Sequence, residues 1–197
     1  MRTSYRHGQD LVRSVLDARD VETVDIDAGV ADVEVVAGTA DSIDVRVTLR
    51  SGDADRLERE CLPNASLDAR RDGRTLHFRV EQRTRDRCGA VWRVTLPSRL
   101  DVVARVSVGT VRISGTTGAV DASAQTGDVV VRSHASAHGT VSVRADVGRV
   151  RATVRGYEVP PKREHGPGAT LTLKGSGGPS LDLRAGVGNA TLDIAAP

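Results

Sequence analysis

The sequence predicts an all-β protein of the β-helix or β-solenoid kind, with one short helix in its N-terminal half. Two observations predict this fold. A Gly-Xaa-Val unit recurs at the head of short alternating segments in the second half of the chain, which is typical of stacked strand repeats. The apolar residues are mostly Val, Ala and Leu, and the 197 residues include only one Trp, one Phe and two Tyr. Such small side chains suit the thin core of a narrow coil better than a deep globule.

The length suits one domain, since domains usually run to about 100–200 residues. We expect an N-terminal tail over residues 1–20 and a single β domain over residues 21–197. Within that domain, we predict irregular strands and a hairpin over residues 21–97 and glycine-cornered repeats over residues 98–197.

Three alternating segments open the β domain. Residues 24–27 and 33–35 are predicted to be paired strands around a turn at Gly29. Residues 43–49 alternate apolar and polar side chains, which predicts a third strand with one buried face.

The only predicted helix follows, over residues 55–60, where Asp53 can cap its N-terminus and Pro63 ends it. Asp72-Gly73 then predicts a hairpin turn between two strands, residues 66–69 and 76–80. Residues 81–89 are predicted to be a charged loop, and residues 91–96 a strand closed by Pro97.

The glycine-cornered repeats come next. Five clear units begin at glycine, and a sixth, weaker one ends the series: Gly109, Gly118, Gly127, Gly139, Gly148 and Gly188. In the clear units the glycines lie nine to twelve residues apart, so a coil of two strands repeats every 18 to 21 residues. Glycine frees the backbone at the corner, and the apolar residue two positions later turns inward. We therefore predict an inner column of Val111, Val129, Val141 and Val150, interrupted by an exposed loop over residues 157–167.

The strand that ends at Leu96-Pro97 and the serial corners such as Thr126-Gly127-Asp128-Val129 resemble the bacterial putative-adhesin family of β-strand-repeat proteins of unknown function (DUF4097-like). The likeness covers residues 21–194 and is strongest over residues 91–155. The resemblance implies a right-handed β-helical fold, frequent placement in the cell envelope and no catalytic residues.

The location of the protein stays open at this level. Residues 1–20 carry three aspartates and do not form a secretory signal, so either the protein is cytoplasmic or a targeting segment has been removed. In the second case we expect the cell envelope or the extracellular space. Cys61 and Cys88 match no zinc-binding spacing, and they can equally form one disulfide or stay as free thiols.

Several groups of side chains are candidates for a catalytic or metal site, and none of them predicts one. His134 and His138 are four apart in a turn region, where helical metal-ligand geometry does not form. Four aspartates near the corners could line a functional edge, although Asp beside Gly is ordinary turn chemistry: Asp101, Asp121, Asp128 and Asp146. The glycine-rich segment 175–179 lacks the ending of a phosphate-binding loop. We predict no enzyme activity, no metal and no cofactor.

The outward positions of the repeats are rich in arginine, which supplies all 28 basic residues except Lys162 and Lys174. The candidate binding residues are Arg112, Arg132, Arg144, Arg151 and Arg155. Stacked on one face, they would form a cationic ladder for the carboxylate or phosphate groups of an extended polymer. The alternative is an ordinary soluble sheet surface.

Three functions compete at this point. The leading hypothesis is a non-catalytic structural or adhesive module that binds a protein or an anionic polysaccharide through its polar sheet face. The alternatives are a self-assembling scaffold, hence a homo-oligomer, and a carbohydrate-active β-helix enzyme. We expect no nucleic-acid partner, because acids are interspersed with the bases and aromatic residues are few, and no membrane span.

Overall fold

The computed structural model describes residues 7–82, 88–134, 139–163, 167–175 and 177–195. Over these residues the protein is all-β, with one short helix. The strands are β1 (His7–Asp17), β2 (Thr23–Gly38), β3 (Ser42–Ser51), β4 (Ala65–Asp72), β5 (Thr75–Gln82), β6 (Gly89–Pro97), β7 (Asp101–Val108), β8 (Val111–Thr116), β9 (Val120–Thr126), β10 (Val129–His134), β11 (Thr140–Val147), β12 (Val150–Val154), β13 (Tyr157–Val159), β14 (Lys162–Arg163), β15 (Ala169–Lys174), β16 (Leu181–Val187) and β17 (Ala190–Ala195).

The strands form one curled sheet with two ladders that share β2. Ladder A runs in the order β1-β3-β6-β2-β8-β10-β17-β12-β13. Ladder B runs in the order β4-β5-β2-β7-β9-β16-β11-β15-β14. The first part of β2 pairs in ladder B and the second part in ladder A. The chain therefore crosses from one ladder to the other without a turn.

Successive strand pairs give one strand to each ladder and so form stacked coils: β7 with β8, β9 with β10, β11 with β12, and β16 with β17. The stacking order differs from the order along the chain. The last pair, β16 and β17, lies between the β9–β10 coil and the β11–β12 coil. Residues 181–195 thus occupy the middle of the stack although they are nearly the last of the chain.

The buried side chains of both ladders form one hydrophobic cluster. The predicted inward position of the four valines is confirmed, since each is at most 7% exposed: Val111, Val129, Val141 and Val150. Their arrangement differs from a single column. Three of them share a row of ladder A with Ala190, whereas Val141 lies in ladder B beside Leu181.

The corners between the ladders depend on a column of glycines that stack coil on coil. Gly127 has a φ of +135°, and a Cβ there would lie 1.8 Å from the carbonyl oxygen of Gly109. Gly188 and Gly148 repeat this contact in the next two coils. The corner therefore needs glycine both for its backbone angle and for the close approach of the neighbouring coil.

Three local predictions are confirmed. Ile43, Val45, Val47 and Leu49 form the buried face of β3. Helix α1 (Ala54–Arg56) continues as a π-helical turn (Leu57–Cys61), and the Asp53 carboxylate caps it by accepting from the Asp55 amide at 2.8 Å. The Asp72-Gly73 turn joins β4 to β5 as an antiparallel hairpin, with Gly73 at a φ of +57°.

Three other predictions were wrong. Residues 7–17 of the predicted tail form β1, which pairs with β3 at the edge of ladder A. Residues 24–35 are not a hairpin, because Gly29 lies inside the continuous strand β2. The predicted loop over residues 157–167 includes two short strands, β13 and β14, that extend both ladders at the far end of the stack. In the part of the chain that the structure describes, no helix has the length and apolar character needed to cross a membrane.

Candidate functional site

The outer side of ladder A carries the main group of outward arginines. Arg112 and Arg151 lie in one row, separated by Val130 and Thr191 on the intervening strands. Arg132 lies two positions along β10, and all three side chains are exposed. The ladder thus brings together arginines that are far apart along the chain.

The remaining two candidates occupy different places. Arg155 lies in the turn between β12 and β13, at the end of the same ladder. Arg144 lies on ladder B, where its guanidinium donates to Asp146 at 2.6 Å. The five arginines therefore do not share one face, and Arg144 is separate from the other four.

The structure adds Arg149 to the group. It follows Gly148 at the corner before β12, is exposed, and lies two residues from Arg151 on the same side of the strand. The equivalent corner position holds Thr110, Asp128 and Asn189 in the other coils, so Arg149 is the basic member of that row. Its place in the Gly-Arg-Val unit was a signal that could have identified it. We call Arg112, Arg132, Arg149, Arg151 and Arg155 the arginine face.

The side chains of the arginine face have no hydrogen-bond or ion-pair partner among the described residues. Acidic neighbours are few: Asp193 lies opposite Arg132 on β17, and Glu34, opposite Arg112, lies 3.6 Å from Arg93. Because no described residue neutralises these guanidinium groups, we treat them as candidates for binding an external anion.

A groove of about 770 Å³ opens beside Arg149 and Arg151. Val130 and Thr191 contribute to it from the sheet, while Pro160 and other residues of the segment after β13 line another part. Glu158 and Asp128 also line it, and the Asp128 carboxylate already accepts from the Asn189 amide at 2.9 Å. The groove gives the arginine face a concave end.

The outer side of ladder B is charge-compensated instead. Arg105 donates to Asp25 at 2.9 Å and lies 3.6 Å from Asp121, and Arg184 donates to Asp182 at 2.7 Å. The hydrogen bond from Arg184 to Asp182 raises the pKa of that guanidinium. On this ladder, acids and bases thus pair both across neighbouring strands, as Arg105 does, and along one strand, as Arg184 does.

The four corner aspartates each have a partner within the chain. Asp101 accepts from the Ala119 amide at 2.7 Å, and Asp128 accepts from the next coil. Asp121 faces Arg105 and Asp146 accepts from Arg144. These contacts match the turn and ion-pair roles that such residues ordinarily have.

The histidine and glycine candidates form no site within the described residues. His138 lies outside them, and for His134 only the backbone in β10 is described. His77 contacts Asp25 at 3.1 Å, but no group of three potential metal ligands occurs in the described residues. The Gly175 amide donates to the Gly139 carbonyl, and the segment leads into strand β16 rather than a helix.

Cys61 and Cys88 form a disulfide, with their Cα atoms 5.9 Å apart. The bond ties the end of the π-helical turn to the residue before β6. It encloses the β4–β5 hairpin, which lies at the edge of ladder B. The disulfide is therefore a structural link between the helical segment and ladder A.

The comparisons with known proteins concern the fold. No family model matches the chain, and no curated protein matches it. The structure of a "putative cell adhesion protein" from Clostridium sporogenes is similar, with a TM-score of 0.54 and 10% identity over 95% of this chain and 100% of that chain. The structure of a "putative adhesin" from Bacteroides fragilis aligns with a TM-score of only 0.30, at 12% identity over 96% of this chain and 97% of that chain. The structure of a "putative adhesin" from Parabacteroides merdae aligns with a TM-score of only 0.31, at 11% identity over 72% of this chain and 66% of that chain.

Proposed function

We propose that this protein is a non-catalytic, adhesive β-solenoid module that binds an extended anionic polysaccharide through the arginine face. The observation that carries the proposal is the contrast between the arginine face and other outward arginines of the sheet. Arg93 on ladder A and Arg105 and Arg184 on ladder B lie beside carboxylates, whereas the side chains of the arginine face have no partner among the described residues.

The spacing of the arginines suits a polymer rather than a small ion. Strands in a sheet lie about 4.8 Å apart, so the three spacings from Arg112 to Arg151 correspond to roughly 14 Å. Carboxylates repeated along a polysaccharide can meet several guanidinium groups over that length, and arginine binds carboxylate through two parallel hydrogen bonds. The groove beside Arg149 can then hold one acidic residue of the chain.

A nucleic-acid ligand is less suited to this surface. Binding of single strands relies on several aromatic rings that stack on successive bases. Trp92 and Phe78 are buried in the core, and Tyr157 is the only exposed aromatic side chain among the described residues. We therefore favour a carboxylated polysaccharide over a nucleic acid as the ligand.

Adhesion and a location at the cell surface are part of the proposal. They are supported by the similar fold of the Clostridium protein, which is described as a "putative cell adhesion protein", and by the disulfide, since such bonds persist in oxidising compartments. Membership of the DUF4097-like family and right-handed winding remain predictions of the sequence resemblance.

We set the carbohydrate-active enzyme aside as an alternative. The carboxylates that it would use, Asp128 and Asp146, cap a neighbouring coil and pair with Arg144 respectively. A catalytic carboxylate pair needs groups that are free to meet a glycosidic bond.

The test is binding of polygalacturonate, measured by calorimetry, with a neutral polysaccharide as the reference probe. Replacing Arg112, Arg132, Arg149, Arg151 and Arg155 with glutamine should weaken binding by at least about 100-fold, since each lost charged contact costs on the order of 1 kcal/mol or more. The matched control replaces five partnered arginines with glutamine, Arg79, Arg93, Arg105, Arg144 and Arg184, and should retain most of the affinity. Equal losses in both variants, or no binding by the wild type, would refute the proposal.

A further inference from the structure

The C-terminal strand pair fills a slot that would otherwise divide the molecule. Strand β11 pairs with β15 and β16, and β12 pairs with β13 and β17, within the described residues. Strands β16 and β17 are therefore the only described hydrogen-bonded link between the first coils and the β11–β15 part of the chain. Without them, β9, β10, β11 and β12 would each present an unpaired edge to the gap.

The slot between the β9–β10 coil and the β11–β12 coil fits residues 181–195, because their apolar side chains complete the buried faces of both ladders. Leu181, Leu183 and Leu192 are fully buried, and Ile194 is 4% exposed. Leu183 lies between Ala122 and Val143, where small neighbours leave room for it. An isolated strand with this pattern is apolar on one face and would not stay dissolved and unpaired.

The order of synthesis leaves the slot open until residues 181–195 have been made. β11 and β12 precede the segment that must enter between them and β9–β10. Until that step, the chain has four open strand edges next to an apolar gap, and a second copy in the same state offers the same segment. Exchange of identical elements between copies is a low-cost route to dimers.

The connection between β15 and β16 can serve as a hinge for residues 181–195. It runs from Lys174 to Leu181, and seven residue steps span up to about 24 Å when extended. In the structure it crosses only from β15 past β11 to β16, two strand spacings or about 10 Å. Gly139 holds it by donating to the Pro179 carbonyl at 2.9 Å, so release of that contact gives the hinge its reach.

We propose that strands β16 and β17 are exchangeable, so that residues 181–195 of one copy fill the slot between β10 and β12 of a second copy in a strand-exchanged dimer. This mode of assembly differs from end-to-end stacking of coils, because the short antiparallel strands β13 and β14 cover the last coil. It involves none of the side chains of the arginine face.

The first test uses a cysteine pair across the exchanged strands of the full chain. Val130 and Thr191 lie directly opposite each other and outside the core, so V130C/T191C can form a disulfide between β10 and β17. After refolding with the native disulfide intact, monomer and dimer fractions are separated and run on a non-reducing denaturing gel. We expect the dimer fraction to yield covalent dimer and the monomer fraction to yield monomer.

The matched control is E34C/R112C, which bridges β2 and β8 and should stay within one chain in both fractions. The ratio of dimer to monomer should rise about tenfold when the refolding concentration is raised about tenfold, since exchange is bimolecular and closure is not. Deleting Gly177, Gly178 and Pro179 should raise it further, because a hinge of four residue steps, about 14 Å at full extension, closes onto the slot of its own chain only under strain. The proposal fails if dimer carries only intrachain V130C/T191C bridges, or if the wild type stays monomeric at every refolding concentration.

Discussion

At the scale of single residues, the stacked corner glycines are positions where any other amino acid should destabilise the fold. Replacing Gly127 with alanine would place a Cβ 1.8 Å from the Gly109 carbonyl oxygen and would force an alanine to a φ of +135°. We expect the free energy of unfolding to fall by roughly 2–5 kcal/mol, because steric overlap and an unfavourable backbone angle both contribute. Urea unfolding monitored by circular dichroism measures the change.

Gly29 provides the matched control for this glycine. It lies inside β2, and a Cβ there would meet nothing within 4 Å. Gly29→Ala should therefore be neutral or stabilise the protein by up to about 1 kcal/mol, as expected for glycine in a strand. A similar loss in both variants would show that the corner has no special requirement for glycine.

Arg155 has a backbone angle that is unfavourable for a residue with a Cβ atom. It has a φ of +52° in the two-residue turn that it forms with Gly156 between β12 and β13. Asparagine tolerates this conformation better than arginine does. We expect Arg155→Asn to raise the stability by about 0.5–1 kcal/mol, measured as a shift in the thermal midpoint, whereas Arg151→Asn on the neighbouring strand should give no such gain.

The outward arginines show what a sequence predicts at this scale. Alternation with buried neighbours correctly placed Arg112, Arg132 and Arg151 on the outside of strands. Whether an outward arginine has a partner depends on the residue across the ladder, as Arg105 shows with Asp25, eighty positions away. That register is a property of the fold. Arg144 is different, because its partner Asp146 lies only two residues further along β11, a local pair that the sequence does show.

At the scale of elements, β1 owes its place at the edge of ladder A to polar contacts as well as apolar ones. The Asp10 carboxylate accepts from Arg46 at 2.6 Å and from the Thr48 hydroxyl at 2.8 Å, across the β1–β3 pair. These hydrogen bonds, from Arg46 first and Thr48 second, lower the pKa of Asp10. The ionised carboxylate thus favours the docked strand.

Because the pKa of Asp10 is lowered, the stability of the docked strand β1 should depend on pH. The pKa of Asp10 is lower in the folded protein than in the unfolded chain. The stabilisation that its carboxylate gives to the docked strand β1 is therefore present above about pH 4, and it is lost as the pH falls through the folded pKa. We expect the protection factors of the β1 amides, each referred to the intrinsic exchange rate at the same pH, to fall over that acid range, and Asp10→Asn to remove the change. Asp17 is the control, because its pKa, lowered to about 2, responds to Arg19 rather than to β3. Identical exchange profiles for the wild type and Asp10→Asn would contradict the prediction.

The elements were predicted best where the pattern is local. The Asp53-capped helix and the Asp72-Gly73 hairpin needed only a few neighbouring residues. The continuous strand β2 was missed because Gly29 suggests a turn, while its extended path is fixed by partners on both ladders. Those partners lie about fifty residues or more along the chain.

At the scale of the whole molecule, the order of the coils is a tertiary property. Each repeat has the same glycine corner and the same inward valine, leucine or alanine, so nothing local tells the β11–β12 coil from the β16–β17 coil. The position of residues 181–195 in the centre of the stack has an energetic consequence. Strands β16 and β17, although they come last in the sequence order of the strands, should be as important to stability as any other central strand.

Leu183 and Leu171 test this consequence as a matched pair of leucines in the last part of the chain. Leu183 is fully buried between two parallel neighbours, whereas Leu171 lies on β15, near the far edge of ladder B, and is 6% exposed. Leu183→Ala should lower the free energy of unfolding by about 3–5 kcal/mol, and Leu171→Ala by about 2 kcal/mol, since a cavity enclosed on both sides relaxes least. Denaturant unfolding at one protein concentration gives both values. If Leu183→Ala costs less than about 1 kcal/mol, as expected for a frayed terminal strand, residues 181–195 do not hold the centre of the stack.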